Sequence, residues 1–136
     1  MRHYRGKYIH ENKNEKTEKW VIGLPINENY LITAYPNCPV TEIRIQPETL
    51  GIGSGRMDCE NNEIFEGDIL ENKKGIRFEV RYGLYAMYDP FCDVMTENIG
   101  FFMVSDATDE FMPLGITEAY MKKIGNIHDN PEWRVK

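Results

Sequence analysis

The stretch DILENKKGIRFEVRY, residues 68–82, decides the fold class because its pattern is that of a β-hairpin. From Ile76 to Tyr82, apolar and charged side chains alternate, which is typical of a strand with one buried face. Residues 72–75 have the composition of a tight turn, so residues 68–71 can form the partner strand. This stretch therefore predicts two antiparallel strands.

Short segments rich in β-branched and aromatic residues occur on both sides of this hairpin. They are residues 20–22, 30–33, 43–45 and 100–104. Turn-forming residues at 27–29 and 36–37 separate the early segments. Only residues 117–123 allow a helix, and that segment is too short for its periodicity to decide. The spacing predicts a mostly β chain, built as a small barrel or sandwich with few short helices.

A length of 136 residues allows one domain or two small lobes. If the chain divides, the glycine-rich residues 51–55 are the place where we expect the boundary. The expected organisation is an N-terminal β lobe at residues 1–50 followed by a second part at residues 51–136. One continuous domain is the alternative.

The chain has the features of a soluble, cytoplasmic protein. No apolar run approaches the roughly 20 residues of a membrane span, and the first 16 residues are too polar for a secretory signal. The three cysteines, Cys38, Cys59 and Cys92, are an odd number without close pairs. Such a pattern suits reduced thiols better than a disulfide framework.

The distribution of charge disfavours nucleic-acid binding. The formal net charge is −6, although residues 1–20 carry six Lys and Arg against three Asp and Glu. An acidic chain without a basic stripe lacks the positive surface that phosphate binding requires. The basic N-terminus is the one segment that could contact phosphate, and a solvated strand and loop is its simpler interpretation.

The glycines at positions 51, 53 and 55 do not form a phosphate-binding loop. A dinucleotide fingerprint requires a third glycine where Arg56 stands, and a helix after it, while a Walker loop requires Gly-Lys-Ser/Thr. We therefore expect residues 51–55 to form a turn that leads into a strand, with glycine needed for positive φ or close backbone approach.

The carboxylates that follow do not form a calcium loop. With Asp58 at position 1, Glu63 occupies the glycine position and Ile69 the position of the bidentate glutamate. The cysteines and histidines lack zinc-ligand spacing. The sequence therefore predicts a solvated acidic turn, with no metal, no cofactor and no catalytic residues.

Ordered motifs along the whole chain resemble those of the YopX family of small phage and prophage proteins. The central motif is ETLGIGSGRMDCENNEIFEGDIL at residues 48–70, and residues 5–7, 20–23 and 124–132 resemble the family's start, WVYG motif and IGNIYENPE ending. Asn61 takes the family's usual glycine position, and asparagine is the next residue most tolerant of a left-handed backbone. We expect structural roles for Gly51, Gly55, Asp58, Glu66, Gly67, Asp68, Gly125, Asn126, Asn130 and Pro131.

The resemblance implies a mostly β protein whose C-terminal part is similar to an SH3-type barrel, located in the bacterial host cytoplasm. It implies no established biochemical activity. The leading hypothesis is a noncatalytic protein-binding or assembly module with an unknown protein partner or as a homo-oligomer. The alternative is a nucleic-acid-associated accessory protein that uses the basic N-terminus. A hydrolase or nuclease is a third hypothesis without a supporting residue set.

Two further features of the C-terminal half carry predictions. Tyr82, Tyr85, Tyr88 and Phe91, next to Asp89-Pro90, form a candidate binding patch, with core or rim positions as the alternative. Residues 124–127 are predicted to form a final strand that closes the barrel, anchored by its two isoleucines. The following turn then places Trp133 against that strand.

Overall fold

The computed structural model describes residues 3–8, 20–33, 41–115 and 117–135, and these residues fold mostly as antiparallel β-strands. The predicted mostly β class is therefore confirmed. The strands are β1 (Tyr4–Lys7), β2 (Trp20–Asn27), β3 (Tyr30–Thr33), β4 (Thr41–Arg44), β5 (Gly51–Met57), β6 (Glu63–Phe65), β7 (Asp68–Glu71), β8 (Arg77–Asp89), β9 (Val94–Ser105), β10 (Thr108–Pro113) and β11 (Lys122–Asn126). Helical segments in the described part are three short 3₁₀ turns at Pro47–Thr49, Thr117–Tyr120 and Pro131–Trp133.

The chain divides into two compact units, residues 1–53 and 54–136, and the division falls inside β5. In the first unit, the strand order is β4-β3-β2-β1, and the first residues of β5 pair with β1. The strands predicted at residues 20–22, 30–33 and 43–45 lie within this sheet, with Ile45 continuing β4 as a bridge to Tyr8. Leu31 and Ile45 are fully buried and form the core of this unit. The turn predicted at residues 36–37 lies outside the described residues.

The glycine-rich residues 51–55 form a strand, so the turn expected at this position is wrong. Gly55 has a φ of +74°, which glycine adopts without steric cost. The chain reverses later, at residues 58–62, where Asn61 has a φ of +64°. The left-handed backbone expected at Asn61 is therefore confirmed, and this residue turns the chain from β5 into β6.

The hairpin predicted at residues 68–82 is confirmed. Strands β7 and β8 pair in antiparallel fashion, with Leu70 opposite Phe78. The Asn72 side-chain oxygen closes the turn by accepting hydrogen bonds from the backbone N–H groups of Lys74 and Ile76, at 2.9 and 3.0 Å. The turn and the apolar alternation specify the same register, which explains why the pattern was sufficient to predict the pairing.

The strands of the second unit form an open five-stranded sheet in the order β10-β9-β8-β7-β11. A barrel closes only when its two edge strands hydrogen-bond to each other. Here β10 and β11 lie at opposite edges, and within the described residues no pairing joins them. The predicted SH3-type barrel is therefore not confirmed, and the final strand is an edge strand instead of a closing one.

The main cluster of core residues in the second unit lies on one face of this sheet. It contains Ile64, Leu70, Phe78, Val80, Met103 and Met121. Glu79 lies on the other face of β8, where the alternating pattern predicts a solvated charge, and yet it is only 2% exposed. Its carboxylate accepts hydrogen bonds from Arg81 Nε at 2.6 Å and from the backbone N–H of Val135 at 2.9 Å. The last residues of the chain therefore cover this charge, which the local pattern could not reveal.

Strand β11 begins at Lys122 and pairs with β7, so the strand predicted at residues 124–127 is present but starts earlier. A bulge between Lys123 and Gly125 shifts its register. Ile124 and Ile127 are only partly buried, so they are not the deep apolar anchors that the sequence suggests. The backbone N–H of Ile127 instead donates to the carbonyl oxygen of Gly67 at 2.9 Å.

Gly125 lets the tail fold back onto β11. A Cβ atom at this position would lie 2.8 Å from Trp133 Cζ3 and closer still to the side-chain oxygen of Asn130. Trp133 therefore packs directly over the glycine, as the tail prediction requires. The Arg77 guanidinium lies 4.5 Å from the centre of the Trp133 ring and holds it from another direction.

We predict that Gly125→Ala destabilises the protein by roughly 1–3 kcal/mol, because the added methyl group must displace Trp133 and Asn130. The measurement is the free energy of unfolding in urea. The matched control is Gly115→Ala, since no atom lies within 4 Å of a Cβ atom there. Equal stability of the two variants would contradict the close approach of Trp133 to β11.

Candidate interaction surface

Strands β8 and β9 extend beyond the rest of their sheet as a two-stranded ribbon. Their register is unbroken from Glu79 opposite Val104 to Asp89 opposite Val94. Strand β7 pairs with β8 only as far as Glu79, and β10 pairs with β9 only as far as Phe102. In the described part of the chain, residues 83–100 therefore pair only with each other. We call these residues the ribbon, whose strands are about 20 Å long.

One face of the ribbon continues the buried face of the sheet. Directly opposed residues, and every second residue along a strand, share a face. The row that includes the buried residues Phe78 and Val80 therefore continues outward to the ribbon tip. Its exposed large side chains are Tyr82 (42%), Leu84 (63%) and Tyr88 (56%) on β8 with Met95 (64%) and Ile99 (75%) on β9. We call these five residues the ribbon face; Tyr82 lies at its base, just before the ribbon begins.

The structure brings the candidate patch of four aromatic residues together only in part. Tyr82 and Tyr88 lie on the ribbon face, and Phe91 lies at the tip with 97% of its surface exposed. Tyr85 lies on the opposite face, where its ring stacks on Phe102 at 4.8 Å between centroids. The sequence analysis missed Leu84, Met95 and Ile99. The alternation that begins at Ile76 continues as far as Tyr88 and could have revealed the first of them.

Hydrogen bonds hold the ribbon tip in one conformation. The Asp89 carboxylate accepts a hydrogen bond from the Phe91 backbone N–H at 2.9 Å. The Tyr88 hydroxyl donates to the carboxylate of Asp93, and this hydrogen bond raises the pKa of Tyr88. Asp93 itself has a φ of +53°. The tip therefore presents Phe91 to solvent from a turn that its own side chains stabilise.

Two opposed glycines lie where the ribbon leaves the sheet. Gly83 and Gly100 are directly opposite each other, with φ values of +150° and +159°. No atom lies within 4 Å of a Cβ atom placed on either residue. Backbone conformation, and not lack of space, is therefore the reason that glycine suits this point.

A second group of candidate residues surrounds β11, beginning with Asp58. Asp58 is 5% exposed, so the solvated acidic turn expected here is wrong for this residue. Its carboxylate accepts backbone hydrogen bonds from Glu60 at 3.0 Å, Asn62 at 2.8 Å and Lys123 at 2.9 Å. Burial raises the pKa of Asp58, but these backbone donors, led by Lys123, together lower it below its ordinary value.

Asp68 holds the side chain of Lys123. This aspartate is fully buried, and its Oδ2 atom accepts a hydrogen bond from the Phe65 backbone N–H at 2.7 Å. The Lys123 ammonium group lies 3.3 Å from the same oxygen and donates to the Glu63 carbonyl oxygen at 2.7 Å. One lysine of β11 is thus bound through its backbone by Asp58 and through its side chain by Asp68.

The turn after β11 is held by Asn126, whose side-chain oxygen accepts from the backbone N–H groups of His128 and Asp129 at 3.0 and 2.9 Å. The ten residues with expected structural roles are placed as follows: Gly51 and Gly55 in β5, Asp58 in the next turn, Glu66 and Gly67 between β6 and β7, Asp68 in β7, Gly125 and Asn126 in β11, and Asn130 and Pro131 at the last 3₁₀ turn. Most of them therefore attach or surround β11.

The family model described as YopX protein matches residues 3–133, which is nearly the whole chain. This chain belongs to the YopX family. None of the curated proteins matches it. In this YopX-family protein, residues of the central and C-terminal motifs meet at β11 and hold this strand in place.

The two cations of the basic N-terminus that the structure describes, Arg5 and Lys7, offer little surface for phosphate. Arg5 and Lys7 of this YopX-family protein are 6% and 7% exposed. Both cations lie over the ring of Trp20, at 4.6 and 5.6 Å from its centre. The other four cations of this segment, Arg2, Lys13, Lys16 and Lys19, lie outside the described residues. The placement of Arg5 and Lys7 does not favour the nucleic-acid hypothesis.

Three further features of the described residues concern metal ligands, helix length and thiols. No group of three or more His, Cys, Asp or Glu side chains in this part could hold a metal ion. No helix formed by the described residues has the length and apolar character needed to cross a membrane. Cys59 and Cys92 are exposed free thiols, whereas Cys38 lies outside the described residues.

We predict that Asp58→Asn lowers the free energy of unfolding by roughly 2–4 kcal/mol near neutral pH, because the amide cannot accept from all three backbone donors. The lowered pKa means that the carboxylate stabilises the fold above its unfolded-state pKa and loses this effect as the pH falls through the folded-state pKa. The difference between the variant and the wild-type protein should therefore shrink below about pH 4.

Urea unfolding at about pH 7 and about pH 2.5 measures this difference. Asp106→Asn is the matched control, since Asp106 is exposed in the turn between β9 and β10. A loss of stability that is the same at both pH values would contradict the role assigned to the charge of Asp58.

Proposed function

We propose that this YopX-family protein is a noncatalytic protein-binding or assembly module whose contact surface is the ribbon face. The observation that carries the proposal is the continuation of a core row, from Phe78 and Val80, into exposed side chains at Leu84 and Tyr88. A row of this kind normally packs against a second layer. In the ribbon, a partner protein supplies that layer.

Two physical arguments support a binding role. An isolated two-stranded ribbon is at best marginally stable in water, so an ordered one gains from being covered. The exposed apolar surface is also concentrated on one face, and patches of this kind mark sites of interaction. The hydrogen-bonded tip supports the same proposal, because a pre-ordered turn loses little conformational entropy when Phe91 becomes buried.

The charges of the ribbon favour a protein partner over nucleic acid. Between Tyr82 and Phe101 the chain carries Asp89, Asp93 and Glu97, with no Lys, Arg or His. Phosphate groups are repelled by such a surface. The proposed setting is the cytoplasm of a bacterial host that carries a phage or prophage, in keeping with the family resemblance and with the exposed free thiols of Cys59 and Cys92.

The test is a comparison of three tagged baits in nuclease-treated bacterial lysate: the wild-type protein, Leu84→Ser with Ile99→Ser, and Leu24→Ser with Ile26→Ser. The last pair is the matched control, because it changes the same residue types at exposed positions of β2. We call Leu84→Ser with Ile99→Ser the ribbon variant. We expect the wild-type protein and the control to capture a protein that the ribbon variant does not bind. The ribbon variant should keep its melting temperature, since the altered side chains lie outside the core.

Capture of the same proteins by all three baits would contradict the proposal, and so would a wild-type bait that captures no protein and is also monomeric in solution. A large drop in the melting temperature of the ribbon variant would also count against it. That result would assign the ribbon face to folding instead of binding.

A further inference from the structure

The ribbon face has a repeating arrangement that suits pairing with an identical surface. Its central cross-strand pair is Ala86 opposite Glu97, with Leu84 opposite Ile99 on one side and Tyr88 opposite Met95 on the other. Two large apolar pairs therefore lie at equal spacing on either side of a pair that contains a small residue. In an antiparallel arrangement about a two-fold axis at Ala86, the Leu84–Ile99 pair of one copy lies over the Tyr88–Met95 pair of the other.

The tip and the base of the ribbon extend the same match. In the antiparallel arrangement, the register that places position 84 over position 88 also places position 82 over position 90. Phe91 of one copy then lies near the Tyr82–Phe101 pair of the other, whose rings are 4.9 Å apart. Aromatic rings favour such offset or tilted contacts. A fully exposed phenylalanine and an aromatic pair at the base thus become each other's partners.

The area of the surface agrees with a stable dimer. The ribbon face and Phe91 together expose on the order of 800 Å² per copy, if a large side chain presents roughly 200 Å² when fully exposed. Specific interfaces of standard size bury about 800 Å² on each partner. One ribbon that covered all of this surface on another would bury about the area of a specific complex of standard size.

Two of the three carboxylates of the ribbon have partners within the tip. Asp89 already accepts backbone hydrogen bonds in the tip, and Asp93 already accepts the hydroxyl of Tyr88. Glu97 remains as the carboxylate on the paired face, and in a dimer it approaches its own counterpart near the axis. Burying two like charges there opposes association, so Glu97 weakens the dimer.

We propose, on the basis of the binding role proposed above, that a second copy of this chain covers the ribbon face, in an antiparallel dimer whose two-fold axis passes close to Ala86. The contact is isologous, so each surface is its own partner. It buries Leu84, Ile99, Tyr88 and Met95 of both copies.

The test is sedimentation equilibrium of the full chain over a wide concentration range. We expect the wild-type protein to dimerise, and Leu84→Ser with Ile99→Ser to weaken dimerisation at least 100-fold. Leu24→Ser with Ile26→Ser should leave it unchanged. Glu97→Gln should strengthen it several-fold, because it removes the repulsion at the axis while keeping the shape of the side chain. Added salt should strengthen the wild-type dimer by screening the same repulsion.

Disulfide trapping tests the orientation. In a background with Cys38, Cys59 and Cys92 changed to serine, Ala86→Cys should form a disulfide-linked dimer, because each copy places this residue near the axis. Glu132→Cys, an exposed position in the last 3₁₀ turn, is the matched control and should remain monomeric.

A wild-type protein that stays monomeric at all concentrations would overturn the dimer, and so would a dimer that the ribbon variant leaves intact. If the monomeric protein still captures another protein in a ribbon-dependent way, the binding role stands and only the second copy is wrong. If added salt and Glu97→Gln both weakened self-association, the ribbon would instead bind a basic surface elsewhere on the second copy, and the antiparallel dimer would be wrong.

Discussion

The attachment of β11 through Lys123 is the interaction on which the second unit depends. An edge strand of five residues, with a bulge and a single, partly buried isoleucine, has little apolar surface to hold it. Asp58 binds its backbone and Asp68 its lysine side chain, so two buried carboxylates replace the missing apolar contacts. Hydrogen bonds to charged groups are the stronger kind. The tail, the last turn and Trp133 all follow from this placement.

The sequence predicted the positions of the strands well, but it did not predict whether the sheet closes into a barrel. Alternation from Ile76 to Tyr82 and the turn chemistry of Asn72 act over a few residues, so the hairpin could be predicted correctly. Whether β10 pairs with β11 depends on groups far apart in sequence, and periodicity contains no information about that pairing. Residues 51–55 show a related limit. Glycines suggest a turn by composition, yet the reversal came at Asn61.

The aromatic residues of the sequence indicated which segment carries the candidate surface. The two-residue period of the strand, and not residue type, determines which side chains lie on it. Tyr85 lies on the other face of the strand, because successive residues of a strand point to opposite faces and Tyr85 is an odd number of residues from Tyr82 and Tyr88. Leu84, Met95 and Ile99 went unnoticed because aliphatic residues in a strand suggest a core. Their exposure follows from where β7 and β10 end, which no local pattern can reveal.

An apolar row on a strand specifies only that something must cover it, and the remainder of the chain determines what does. Over Phe78 and Val80 the cover comes from within the unit, and beyond Gly83 no described segment of the chain supplies it. The opposed glycines, Gly83 and Gly100, lie where the covered part of the row ends and the uncovered part begins. On the sheet side of the glycines, burial of the apolar side chains stabilises the fold. On the ribbon side, burial of the same kind of side chain can stabilise association. The proposed dimer is the arrangement in which the ribbon gains a second layer without any new sequence, since each copy carries the missing layer of the other.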